Sequence, residues 1–116
     1  MPSKTFERYD VVVVPFPFTD KTSTKRRPAV ILSGAAGFNQ PAQHAVMAMI
    51  TTATEHPWPL DTPIADLSSA GLNVPCTLRF KLFTLDVRLI VRKAGSLGRK
   101  DRAAVAKSLR MLILES

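Results

Sequence analysis

The chain has a single cysteine, Cys76, so no internal disulfide can form. It has no Cys/His cluster at zinc-ligand spacing, no glycine-rich phosphate loop and no His-Glu-x-x-His helix. Any catalysis is therefore expected to run without a metal or an organic cofactor. Long apolar runs are missing too. Val11 to Val14 and Ala45 to Ile50 are the longest, and both fall far short of a membrane span. The first residues, Met1 to Glu7, lack the apolar core of a signal peptide. These absences predict a cytoplasmic protein with no membrane association. Basic residues are absent from the whole middle of the chain: positions 28–78 hold no Lys or Arg, only Glu55, Asp61 and Asp66 as charges.

The positive charge lies at the two ends. Residues 1–27 carry six Lys/Arg against three acids, and residues 79–116 carry ten against three, giving a net charge of +7. Basic side chains placed this way suit a polyanionic partner, because they neutralise phosphates and release counterions. The same charge also fits a merely soluble basic surface, and composition does not separate the two. With 116 residues, 46% of them hydrophobic, the chain can fill one core but not two, so residues 1–116 are read as a single domain.

Nine prolines cut the chain into short pieces, which favours strands and turns over long helices. Strands are expected over Tyr9 to Phe16, Pro28 to Ser33, Ala45 to Thr51, Ile64 to Leu67, Cys76 to Leu82 and Leu89 to Lys93. Thr19 to Lys25 and Gly34 to Gln43 read as loops, as does Thr52 to Pro63, which holds the chain's one tryptophan. Near the C-terminus Val105, Ala106, Leu109, Leu112 and Ile113 follow helical spacing, with Asp101 in the first turn and Gly98 or Ser96 opening the helix. About six short strands and one terminal helix predict a mainly β fold, a small barrel.

Three polar elements interrupt this apolar pattern. The first is Lys25-Arg26-Arg27-Pro28, where a polar loop ends and a strand begins. Pro28 biases Arg27 to an extended backbone, a placement that suits aiming a guanidinium at a phosphate; a solvated charge cluster fits equally well. The second is Thr51-Thr52, two hydroxyls at the end of an apolar strand. They can face a cleft, or simply leave the core as strand-end threonines. The third is Arg79-Phe80-Lys81-Leu82-Phe83, in which alternation puts Arg79 and Lys81 on one face. Two cations with Phe83 close by can hold a nucleic-acid backbone and stack a base, and a half-buried strand with a solvated basic face has the same pattern. Cys76 reads as a small buried apolar residue rather than a nucleophile, since no histidine is near it in sequence. His44 and His56 read as surface histidines, with a catalytic pair as the alternative.

Asp10 to Phe18, Arg26-Arg27-Pro28-Ala29-Val30, Ile50-Thr51 and Arg79 to Asp86, in this order, resemble the MazF/PemK toxins of bacterial type II toxin–antitoxin modules. The resemblance spans residues 8–114. It implies an SH3-like barrel with a C-terminal helix, paired as a homodimer. It implies a metal-independent, sequence-specific endoribonuclease that cleaves single-stranded mRNA by attack of the 2′-hydroxyl, arrests growth, and is neutralised by an acidic antitoxin. The arginine before the proline and the threonine after the third strand carry the chemistry in that family; they map to Arg27 and Thr51. The expected RNA-contacting set is Lys21, Lys25, Arg26, Thr52, Arg79, Lys81 and Phe83, with the antitoxin lying along residues 21–27 and 79–93. The dimer surface is expected near Phe16 and Phe18.

The sequence departs from the family in three places. Several members have a glutamate in the loop before the arginine, where this chain has Thr22, Ser23 and Thr24. Some PemK-like members pair an arginine with an aspartate in the later strand; here Arg79 matches and Lys81 stands at the aspartate position. Phe83 replaces a common arginine before Thr84. Two other functions fit the same barrel: a CcdB-like gyrase poison that cleaves nothing, and a degenerate module that binds RNA or antitoxin only.

Overall fold

The computed structural model describes residues 5–16, 25–52 and 56–115. Six strands form one sheet: β1 (Asp10–Phe16), β2 (Lys25–Ile31), β3 (His44–Thr51), β4 (Thr62–Pro63), β5 (Thr77–Asp86) and β6 (Arg92–Ser96). Their order is β4-β5-β3-β2-β1-β6, and every pairing is antiparallel. Three helices accompany them, α1 (Gln40–Ala42), α2 (Leu67–Ala70) and the long C-terminal α3 (Arg99–Ile113). The sheet curls into a half-barrel. Register shifts at Val11/Val12 and at Ala48/Met49 contribute, since extra residues on one strand bend it and sharpen its twist.

Both faces of the sheet are buried. On one side Val12, Val14, Ala29, Ile31, Met47 and Leu85 form a core closed by Phe6, Val87 and Ile90. On the other, Val11, Val30, Ile50, Leu78 and Phe80 pack under Leu97 and Val105 of the α3 end of the chain. A strand buried on both faces has no polar side to present, which is why Val11 to Val14 reads as an unbroken run. α3 begins at Gly98 as expected. Val105 is fully buried and Leu109 packs beside it, but Leu112 and Ile113 are exposed, because the last turn of the helix is not packed on the sheet. Asp101 does more than complement the helix dipole. It is buried, and its two oxygens accept from the amides of Ala65 and Asp66 at 2.8 and 2.9 Å, tying the α2 region to α3.

Several boundaries differ from the sequence reading, each for a local polar reason. Gly34 to Gln43 is not an irregular loop: Ala35–Asn39 forms a π-helical turn that runs into α1. Buried Asn39 holds it, donating to the carbonyls of Phe6 and Ser33. The strand expected at Ile64 to Leu67 is only Thr62–Pro63, because the Asp66 side chain accepts from the Ser69 amide and starts α2 instead. The strand expected at Leu89 to Lys93 is displaced to Arg92–Ser96. Asp86 accepts from the Arg88 amide and closes a 3-10 turn over Val87–Leu89 first. Gly71 (φ +73°) ends α2 in a left-handed conformation, and a β-carbon there would collide with the Ala94 carbonyl.

Candidate active site

Pro28 shapes the site. β2 begins earlier than expected, at Lys25, and Pro28 lies inside it, opposite Val13 of β1. On its other side β2 pairs with β3 only through Ile31, Val30 and Ala29. A proline has no N–H to extend a ladder, and the pairing stops one residue short of it. Beyond that point the strand ends part and a cavity opens. The last pair is Ala29 with Met49, so two further residues along each strand set Arg27 opposite Thr51.

Two adjoining clefts flank this gap. One, of about 300 Å³, is lined by Lys25, Arg26, Arg27, Thr51, Thr52 and Cys76 among others. The second, of about 220 Å³, has Phe16, Met49 and Ile50 as its apolar wall and Arg27, Thr51, Arg79 and Lys81 as its polar lining. A third cleft, of about 660 Å³, continues from Arg26 and Arg27 toward Arg92. Arg27 lines all three, and Thr51 lines the first two.

Arg27 is half-buried, with its guanidinium carbon 5.8 Å from the centre of the Phe16 ring. Its Nε is buried and has no hydrogen-bond partner among the described residues. Buried donors are nearly always satisfied, and an orphan is costly. Phe16 is thus next to Arg27 and packed, partly buried, against the first core.

Arg79 reaches the site differently from the expectation. Its side chain is not a solvated cation. It is 9% exposed, its Nε donates to Asp61 Oδ1 at 3.2 Å, and its Nη2 donates to Asp61 Oδ2 at 3.0 Å and to the His56 carbonyl at 3.2 Å. The Asp61 bond raises the guanidinium's pKa further. For Asp61, burial pulls the pKa up, but Arg79 and the Trp58 amide outweigh it and leave the carboxyl below its ordinary 3.8. A carboxylate therefore does stand beside the later-strand arginine, although Lys81 occupies the expected aspartate position. It comes from the loop before β4. No spacing rule links Asp61 to Arg79, so the sequence reading missed it.

Alternation does carry Arg79 and Lys81 to one face: both line the same cleft, while Phe80 packs in the opposite core. Phe83 lies further along β5, opposite Met47, half-buried against the first core. The exposed aromatic of this basic region is instead Trp58, 41% exposed, with Lys81 Nζ 4.7 Å and Arg79 Cζ 5.8 Å from its ring centre. Lys25, Arg26 and Thr52 are exposed at the mouth. Lys21, Phe18 and the loop residues Thr22 to Thr24 lie outside the described residues.

The remaining candidates fall away from the centre. His44 begins β3 and Thr51 ends it, a separation of about 23 Å at a strand's rise per residue; its Nδ1 sits 2.9 Å from the Ala42 carbonyl. His56 contributes its backbone carbonyl to Arg79, and its side chain is exposed. Cys76 is half-buried on the wall of the first cleft, and burial pushes its thiol up from 9.0, away from the thiolate a nucleophile needs. Among the described residues no three His, Cys, Asp or Glu side chains are grouped to hold a metal ion, and no helix is long and apolar enough to cross a membrane.

A half-barrel with cations gathered where two strands part defines a small β-sheet protein with a basic cleft. Its family is shown by sequence: residues 7–113 match the model for the PemK-like, MazF-like toxin of type II toxin–antitoxin systems, and the chain belongs to that family. Solved structures agree in fold. MazF from Deinococcus radiodurans superposes with a TM-score of 0.73 at 20% identity, covering 95% of this chain and 97% of that one. The MazE–MazF complex from the same organism gives 0.76 at 21% identity, covering 97% and 100%. A mycobacterial endoribonuclease in complex with its cognate antitoxin gives 0.72 at 14% identity, covering 93% and 92%. No curated protein matches the sequence.

Proposed function

We propose that this toxin is an endoribonuclease that cleaves single-stranded mRNA at short sequence motifs without metal, and so halts translation. The convergence of Arg27 and Thr51 on one cleft, with Arg79 and Lys81 in the same lining, is the observation that carries this reading. A phosphate seated between Arg27 and Thr51 accepts from the guanidinium and from the Thr51 hydroxyl. The neighbouring ribose 2′-oxygen then attacks phosphorus, and the bond to the 5′-oxygen breaks. The products are a 2′,3′-cyclic phosphate and a free 5′-hydroxyl. Negative charge grows on the phosphorane oxygens as this happens, and Arg27 is placed to stabilise it. Its role is electrostatic, because a guanidinium with a pKa above ~12 is a poor proton donor or acceptor. Lys25, Arg26 and Lys81 hold the flanking phosphates, Thr52 adds a hydroxyl at the mouth, and Arg79 shapes the cleft wall from its pair with Asp61.

The same reading assigns the partners. An acidic antitoxin segment competes with RNA for the mouth formed by residues 25–27 and for the β5–β6 side carrying Lys81 and Arg92. The active form is a homodimer in the cytoplasm, where mRNA is met. The deciding experiment incubates purified protein with a long RNA in EDTA and maps the ends. Discrete fragments with 5′-hydroxyl and cyclic-phosphate ends, absent for Arg27→Ala, support the ribonuclease. RNA left intact would point to a gyrase poison or a binding-only module, and fragmentation abolished by EDTA would remove the metal-free mechanism.

A further inference from the structure

We infer that Trp58 is the platform on which an unpaired nucleobase of the bound RNA stacks, next to the phosphate held at Arg27 and Thr51. The inference rests on the ribonuclease reading and adds a binding residue that sequence reasoning did not supply. Trp58 belongs to neither core cluster, and 41% of it is exposed. Its backbone, not its ring, does the structural work. The Trp58 amide donates to Asp61 Oδ2 at 2.9 Å, and its carbonyl accepts from the Asp61 amide at 3.2 Å. Leu60, inside this turn, has φ +67°. Asp61 in turn grips Arg79 with both oxygens. The turn is therefore fixed to β5, and the ring is held at a set place beside the cleft.

That place is cationic. Lys81 Nζ and Arg79 Cζ lie 4.7 and 5.8 Å from the ring centre, and both residues line the cleft that contains Arg27 and Thr51. A phosphate drawn to Lys81 brings its base within reach of the indole. Aromatic rings interleaved with cations are the usual means of holding single strands, because every base has a stacking face while the cations follow the backbone. Phe83, the aromatic expected for this purpose from sequence, is half-buried against the first core, so Trp58 takes the role.

The test uses the chain's one tryptophan as its own reporter. The probes are 2′-O-methyl homopolymer oligonucleotides, which lack the attacking hydroxyl and are not cleaved. Binding is followed by anisotropy of a dye-labelled oligonucleotide, and stacking by quenching of Trp58 emission with the unlabelled one. The expected result is quenching that saturates with binding, a loss of affinity of about tenfold or more in Trp58→Ala, and recovery of most of it in Trp58→Phe. Anisotropy that rises while Trp58 emission stays constant overturns the inference and leaves the ribonuclease reading standing. Failure of every oligonucleotide to bind overturns both. Quenching by poly-glutamate but not by RNA assigns the ring to an acidic protein partner and also overturns it. If Trp58→Ala fails to fold, the quenching measurement on the unaltered protein decides alone.

Discussion

Arg27→Met keeps an unbranched stem and removes the guanidinium, so it separates a catalytic arginine from a structural one. Two opposing effects on stability follow from the structure. The contact of the guanidinium with Phe16 at 5.8 Å is lost, which costs about 0.5–1 kcal/mol. The buried Nε that has no partner is removed, which relieves about 1–3 kcal/mol of desolvation. The sum runs from roughly no change to a gain of about 2 kcal/mol, or up to about 10 °C in melting temperature for a domain of this size. RNA cleavage should move the other way. Loss of one preorganised donor to a developing oxyanion typically costs about 10²–10³ in rate. Thermal denaturation and a gel assay on the same preparation give both numbers. A variant that melts well below the unaltered protein but still cleaves RNA would place Arg27 among the structural residues and refute the argument.

Four further outcomes are expected. Thr51→Ala should slow cleavage by about tenfold, less than any loss of Arg27, because it deletes one neutral donor; a wild-type rate would remove Thr51 from the mechanism. Asp61 has a depressed folded pKa, so its pairing with Arg79 is complete above its ordinary value of 3.8 and is lost only as the pH falls through the lower folded value. Trp58 emission should therefore stay constant from neutral pH down to that value and change only below it; a transition between pH values of about 5 and 7 would contradict the assignment. Cys76 should alkylate more slowly than an exposed thiol at neutral pH, and Cys76→Ala should cleave RNA normally, whereas loss of cleavage would reinstate it as a reacting group. Val105→Ala should cost about 2 kcal/mol in denaturant unfolding, as a fully buried contact between α3 and the sheet, without changing cleavage in the folded protein; a negligible cost would mean that α3 is not held there.

Much of the sheet was legible because its strands are apolar on both sides. β1, β3 and the centre of β2 are long runs of Val, Ala, Met and Ile bounded by proline or polar residues, and the structure places them within a few residues of the expected limits. The errors fall where one polar side chain redirects the backbone. Asp66 and Asp86 each capture an amide two or three residues ahead and turn the chain, so a short β-rich segment becomes a helical turn. An aspartate in an apolar segment does not reveal from sequence whether its oxygens face the backbone or the solvent. How far α3 packs was not legible, for another reason. Helical spacing identifies a stripe, but not how far the surface it packs against extends.

The site divides along the same line. Arg27 and Thr51 were legible as candidates, the first because it precedes a proline and the second because it ends an apolar strand, and antiparallel register brings both to one cleft. The pairing of Ala29 with Met49 does the work that no local pattern records. Asp61 and Trp58 could not be found this way. They come from a loop, and they are tied to the cleft through Arg79, 18 residues from Asp61 in sequence. Their arrangement also accounts for the departure at Lys81. The carboxylate expected in the strand stands instead on the loop, where it fixes Arg79. The strand position it would have taken is left to a lysine, which adds positive charge to the cleft. The result is a cleft whose exposed cations, Lys25, Arg26 and Lys81, surround one arginine beside a ring and another held by a carboxylate. Such a division suits the proposed RNA substrate: the exposed charges follow the backbone, and the fixed groups define where a single phosphate must sit.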